Sequence, residues 1–287
     1  MLEHFNFPCK TALRRLAQCG LIVLSMGIAG CDSMKELFKD PDEAKYVDRK
    51  VEKIYNDAMD YLETGWYETA AKEFDEVERQ HPYSKWATKA QLMSGYAYYL
   101  NEQFDEAIIA LDRFIELHPG NRDAPYAYYL KALSYYEQIS DVGRDQKMTR
   151  LALTSLQEVS KRHPNSDYAR DARLKFDLTR DHLAGKDMAI GRYYQRRGDH
   201  LAAINRYRTV IEKYQTTTHV PEALHRLTEC YLTLGITDEA QMSAAVLGYN
   251  FPGSDWYKDS YTRLENRSLK PQRKASSWLD RFRDKAS

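Results

Sequence analysis

Gly65-Trp66-Tyr67-Glu68-Thr69-Ala70-Ala71-Lys72-Glu73-Phe74-Asp75-Glu76-Val77-Glu78-Arg79-Gln80-His81-Pro82 sets a frame that returns four more times in this chain. Small residues mark the anchors: Ala70, Ala107, Ala152, Ala203 and Ala240. Four residues on stand Phe74, Leu111, Leu156, Tyr207 and Ala244, and twelve on stand Pro82, Pro119, Pro164, Gln215 and Pro252. His81, His118, His163, Tyr214 and Phe251 precede those positions, and Ser84, Asn121, Ser166, Thr217 and Ser254 follow two residues later. Five residues before the anchors come Gly65, Glu102, Lys147, Gly198 and Gly235.

Each part of the frame has a physical reading. A small residue lets two helices approach, and a large apolar residue one turn on fills the space between them. Proline stops the second helix, and the Ser, Asn or Thr after it caps the next one. Glycine before the anchor suits the turn inside the hairpin. The anchors lie 37, 45, 51 and 37 residues apart. Such a period with a Gly-x-Tyr-x-x-Ala-x-x-x-Phe and Pro core is the tetratricopeptide pattern. The expected fold is therefore all-α, a solenoid of five helical hairpins with a capping C-terminal helix and a groove along one side.

The totals agree with that class. The chain has 287 residues, a formal net charge of zero, 29% charged and 43% hydrophobic residues. Net charge gives no support for nucleic-acid binding. Tyrosine, at 22, is the one compositional excess. Cys9, Cys19, Cys31 and Cys230 form no CxxC pair and no zinc spacing, so neither a metal nor a structural disulfide is expected.

Residues 1–30 read as a removed leader. Lys10, Arg14 and Arg15 precede an apolar run from Leu16 to Ala29 that ends Ile28-Ala29-Gly30-Cys31. This is the pattern of a lipoprotein signal, with Cys31 as the lipidated residue. An ordinary signal peptide or a membrane anchor with an incidental cysteine is the competing reading. Two or more acyl chains on Cys31 would hold the chain stably on a membrane surface. Residues 31–41 form a tether ending Asp40-Pro41, which with Glu43 reads as a helix start; the first helix is expected to run from there to about Thr64.

Two departures from the frame follow. About eight extra residues, Ile139 to Gln146, sit inside the third hairpin, where a tip insertion disturbs no stacked face. From Pro164 to Gly198 the chain takes 34 residues where Pro82 to Glu102 takes 20. That predicts one long helix from Tyr168 to about Arg196, kinked near Gly185, projecting beyond the stack as a separate surface. The tail from Thr262 is basic, and Trp278 and Phe282 share a helical face within it. It reads either as a docking helix or as a frayed terminus.

No phosphate loop, zinc-protease motif or nucleophile elbow is present, and no cofactor is expected. The His-Pro pairs recur at the repeat spacing, so they read as turn residues rather than metal ligands. Tyr61, Tyr98, Tyr135, Tyr194 and Tyr231 also recur at one repeat position, and most read as core packing. The flanking Tyr96, Tyr99, Tyr126, Tyr128 and Tyr129 are the candidates for a groove wall that holds an extended peptide.

Several stretches are more specific than the general repeat. They are His81-Pro82-Tyr83-Ser84, Asp112 to Pro119, His163 to Tyr168, Arg180-Asp181-His182-Leu183-Ala184, and Gly191 to Gly198 leading into Ala202-Ala203-Ile204-Asn205-Arg206. Over about residues 40–262 the chain resembles the BamD family, the lipoprotein subunit of the bacterial β-barrel assembly machinery. The resemblance implies a subunit on the periplasmic face of the outer membrane, held by lipid on Cys31. It implies that residues 42–135 receive unfolded barrel precursors, and that residues 136–262 dock the BamA-like barrel subunit beside other lipoproteins of the machine. Arg206 matches an arginine of the family tied to that docking; otherwise it is an exposed helix arginine. Asp32 is a residue that enteric bacteria read as inner-membrane retention, so the outer-membrane placement comes from the resemblance alone. The basic tail, 263–287, is outside the family pattern. A periplasmic lipoprotein scaffold for cell-wall or division proteins is the alternative function, and an enzyme has no residue constellation behind it.

Overall fold

A computed structural model describes residues 49–274 and 277–282. Among them, eleven α-helices pair into five hairpins and a cap. The hairpins are α1 Val51–Glu63 with α2 Tyr67–Gln80, α3 Lys85–Leu100 with α4 Phe104–Leu117, and α5 Ala124–Glu137 with α6 Lys147–Arg162. They continue with α7 Asp167–Arg196 and α8 His200–Lys213, then α9 Val220–Thr233 and α10 Thr237–Asn250. The cap α11, Asp255–Glu265, packs on α9 and α10. The leader, Cys31, the tether and the Asp40-Pro41 helix start lie outside the described residues. Residues 49 and 50 are non-helical, so the first described helix begins at Val51.

The repeat frame maps onto the hairpin interiors. All five anchor alanines are fully buried, and so are Phe74, Leu111, Leu156, Tyr207 and Ala244. Sixteen residues before most of these fillers the partner helix carries its own small residue: Ala58, Gly95, Gly191 and Thr228, with Ala132 in the third hairpin after allowance for its insertion. A Cβ on Gly95 would lie 2.7 Å from Leu111, and one on Gly191 would lie 2.5 Å from Tyr207. The hairpin with the bulkiest filler thus has no side chain opposite it, and the one with the smallest, Ala244, has Thr228. In these two hairpins the large filler faces the small partner and the small filler the larger one, which helps keep the interior close-packed.

The joints share their backbone course but not all of their caps: Asn121 and Thr217, expected to cap the next helix, do not, and α5 and α9 start after Asp123 and His219 without a side-chain cap bond. His81, His118 and His163 close α2, α4 and α6 at φ −134°, −130° and −128°, and Tyr214 and Phe251 close α8 and α10 in the same region. Ser84, Ser166 and Ser254 cap α3, α7 and α11 by accepting from the backbone N–H three residues on. Gly65, Gly198 and Gly235 take φ of +84°, +84° and +75° at the turns within their hairpins.

Three further expectations need correction. First, the added length of α7 does not project freely. The helix is continuous through Gly185 and buries Thr179, Leu183, Ala184 and Met188. Second, the 139–146 insertion is not an idle tip. It reaches α7, where Lys186 Nζ donates to the carbonyls of Gly143 (2.9 Å) and Arg144 (3.3 Å). On the same helix, Asp181 accepts from the Thr218 N–H (2.8 Å) and hydroxyl (2.7 Å). The two departures from the repeat therefore pack on each other. Third, the tail is neither a free docking helix nor a frayed end as far as Phe282. It folds back over the last hairpin, burying Leu279 fully and Phe282 almost so. A short 3-10 turn, Asp280–Phe282, ends the described part. Trp278 sits under the Arg208 guanidinium at 4.3 Å, and Ser277 Oγ donates to Glu239 (2.8 Å).

Candidate functional site

Successive first helices touch across repeat boundaries: α1 with α3, α3 with α5, and α5 with α7. Among the described residues the second helices of neighbouring hairpins do not pack comparably. Closer spacing on one side makes that side the inner wall of the stack, and it is built from first helices.

Aromatic rings line this wall. Tyr96 on α3 is 6.3 Å from Tyr126 on α5, and Tyr126 is 5.3 Å from Tyr168 on α7. Tyr129 stacks on Tyr168 at 5.3 Å with the planes 26° apart. Tyr99, on α3 with Tyr96, has its ring 5.8 Å from Phe104. These side chains are partly buried. Burial is the first cause that raises the phenol pKa of Tyr99, Tyr126 and Tyr129, and the Asp171 carboxylate, which accepts from Tyr129 Oη, adds to it at Tyr129. Those phenols stay protonated, and Tyr129 Oη donates to Asp171. Lys175 pairs with Asp171 at 3.6 Å and lies 5.2 Å above the Tyr136 ring. Beyond it a cleft of about 410 Å³ opens between Tyr136, Glu137, Leu178 and His182. Leu174 and Leu178 leave 60% and 52% of their surface open. A wall of aromatic and aliphatic side chains suits a segment with alternating apolar side chains.

Four of the five candidate tyrosines thus belong to one region, and Tyr128 does not. It points between α5 and α6, with its ring 5.2 Å from His163 and the Arg162 guanidinium 5.5 Å away. The reason is helical phase: two residues beyond Tyr126, Tyr128 stands about 200° around the helix. Sequence reasoning missed Tyr168 and Asp171. Their signal was an aromatic two residues after each serine cap, in Ser84-Lys85-Trp86, Ser166-Asp167-Tyr168 and Ser254-Asp255-Trp256. Each such ring packs on the preceding first helix: Trp86 on Tyr55, Tyr168 on Tyr126 and Tyr129, and Trp256 on His225.

Arg206 lies on α8, far along the chain from that wall. Its side chain is 45% exposed, and its guanidinium donates to Asp187 on α7 at 3.2 Å. It borders a cleft of about 550 Å³ between α7, α8 and the 139–146 insertion. Among the described residues, no group of three or more His, Cys, Asp or Glu stands together to hold a metal, and no helix is long and apolar enough to cross a membrane.

This architecture has close relatives. A family model described as "YfiO: Outer membrane lipoprotein" matches residues 47–247. The outer membrane protein assembly factor BamD of Caulobacter vibrioides is 51% identical over 250 residues, covering 87% of this chain and 81% of that protein. Its counterpart in Rickettsia prowazekii is 44% identical, covering 86% and 95%, and that of Neisseria meningitidis is 35% identical, covering 82% and 91%. The match spans all five hairpins at identities well above those at which only a fold is shared, and the chain belongs to the BamD family of outer membrane protein assembly factors.

Proposed function

We propose that this protein is the lipid-anchored subunit of a β-barrel assembly machine, held by Cys31 on the periplasmic face of the outer membrane. It receives unfolded outer-membrane proteins on its tyrosine-lined wall and docks the barrel subunit around Arg206. The role is binding and handing over, with no bond made or broken. The N-terminal repeats, 42–135, form most of the receiving half, and residues 136–262 carry the docking surface. Tyr168 and Asp171 extend the receiving wall onto α7. Cys31 lies outside the described residues, and its lipidation rests on the sequence of the segment before it.

The observation that carries this reading is the continuous contact of Tyr96, Tyr126, Tyr168 and Tyr129 across three helices from three repeats. Single rings are normal core edges, whereas a run of partly buried rings along an inner wall is what an extended chain can lie against. The test is binding of a peptide copied from the last strand of an outer-membrane barrel protein. A Tyr126→Ala/Tyr168→Ala double variant should bind it about tenfold more weakly with its helix content intact. Equal affinity would remove the wall from the site. Arg206→Ala should separately lower capture of the barrel subunit while leaving peptide affinity unchanged. Cys31→Ala should move the protein from the membrane to the soluble fraction.

A further inference from the structure

The cleft beside Arg206 has a charge imbalance. It gathers Arg144 and Arg150 from around the insertion, Lys186 from α7 and Arg206 from α8, against the carboxylates of Asp145 and Asp187. Arg206 is paired with Asp187 at 3.2 Å and Arg150 with Asp145 at 3.9 Å. Lys186 is held by two backbone carbonyls, which orient its ammonium without neutralising it. Arg144 is exposed at the rim, and among the described residues neither it nor Lys186 is paired with a carboxylate. The N-terminus of α6, Lys147–Arg162, adjoins the same cleft and adds the positive end of its dipole. Two uncompensated cations in a cleft with low-dielectric walls focus a positive potential outward.

We infer that Arg144 and Lys186 form a second carboxylate-binding subsite, set in place by the 139–146 insertion, which takes an acidic segment of the docking partner alongside Arg206. This rests on the docking reading above and extends it to residues that the repeat frame does not contain. The occupant is a protein segment rather than a small anion, because the cleft is open and about 550 Å³ in volume. An isolated phosphate would touch one wall of it, while a loop with two acidic side chains reaches both.

The test measures association of the full-length lipoprotein, in detergent, with the barrel subunit of the same machinery. Five proteins are compared: native, Arg144→Gln, Lys186→Gln, Lys186→Arg and Arg206→Ala. Arg144→Gln and Lys186→Gln should each slow association by roughly three- to tenfold at low salt, with the difference fading at high salt. Lys186→Arg should restore most of the rate. Association unchanged in both glutamine variants overturns the subsite; if Arg206→Ala still weakens capture, the docking reading survives without it. If the two glutamine variants and Arg206→Ala all bind like the native protein, the docking reading falls too. A loss confined to Lys186→Gln, with amide protection of residues 139–146 lost as well, makes Lys186 only a staple for the loop and overturns the proposal. A loss of binding to phosphatidylglycerol vesicles, with capture of the barrel subunit intact, would make anionic lipid the occupant and would also overturn it.

Discussion

Glu102 stands where three other hairpins place glycine, and it is held at φ +59°. A side chain in the left-handed region crowds the following carbonyl and costs about 1–2 kcal/mol. Glu102→Gly relieves that strain, partly offset by the greater freedom glycine adds to the unfolded chain. The net gain expected is about 0.5–1 kcal/mol, read as a thermal midpoint ~1–3 °C higher. Gly191 is the opposite case. It is helical and needs no special φ, but its missing Cβ makes room for Tyr207, whose ring would lie 2.5 Å from one. Gly191→Ala should destabilise by about 1–3 kcal/mol, whereas Gly120→Ala, with nothing within 4 Å, should be near neutral. Denaturant midpoints for the two variants measure the contrast directly. The Glu102 strain could not be read from the sequence, because only the backbone shows that the residue kept the glycine conformation.

Between elements, Glu229 ties three helices together. Burial pushes its carboxyl up, but hydrogen bonds from His225, Gln195 and Arg226 outweigh that and bring it down to about 2. Arg263 on α11 adds an ion pair to the same carboxylate. A folded pKa below the unfolded one contributes stability that is present above about 4.5 and is lost as the pH falls through the folded value. Between pH 4.5 and 2 the native protein should therefore lose about 2–3 kcal/mol through this group. Glu229→Gln should flatten that part of the stability profile, and a profile of unchanged steepness would assign the acid sensitivity elsewhere. At this scale the sequence was most legible where one residue type has one use: anchor alanines, serine caps and turn glycines all fell in place. It was least legible where two departures from the repeat answer each other. Nothing along the chain links Lys186 to Gly143, since their meeting depends on how far α7 overruns its hairpin. Tyr128 failed for a related reason, because a run of tyrosines spreads around the helix and only helical phase decides which of them face the wall.

In the whole molecule each hairpin contacts mainly its neighbours, so a change at one end should stay there. The tail offers the test. Leu279 and Phe282 join the core of the last two hairpins, with Leu269 and Trp278 packed against it. Gln241 Nε2 donates to the Lys270 carbonyl at 2.8 Å, and Lys274 pairs with Asp238 at 3.2 Å, so the strap is fastened along α10. Ending the chain after Glu265 would uncover the α10 side of that core, next to Met242 and Val246, and should cost about 2–5 kcal/mol, on the scale of removing large buried side chains. The loss should be local. Amide exchange in α9 and α10 should speed up by orders of magnitude, while α1 to α4 keep native protection. Peptide binding at the tyrosine wall should persist, since that wall lies on α3, α5 and α7. A uniform rise in exchange across all five hairpins would mean that the stack unfolds as one unit, and the separation of a receiving half from a docking half would then have no basis in stability.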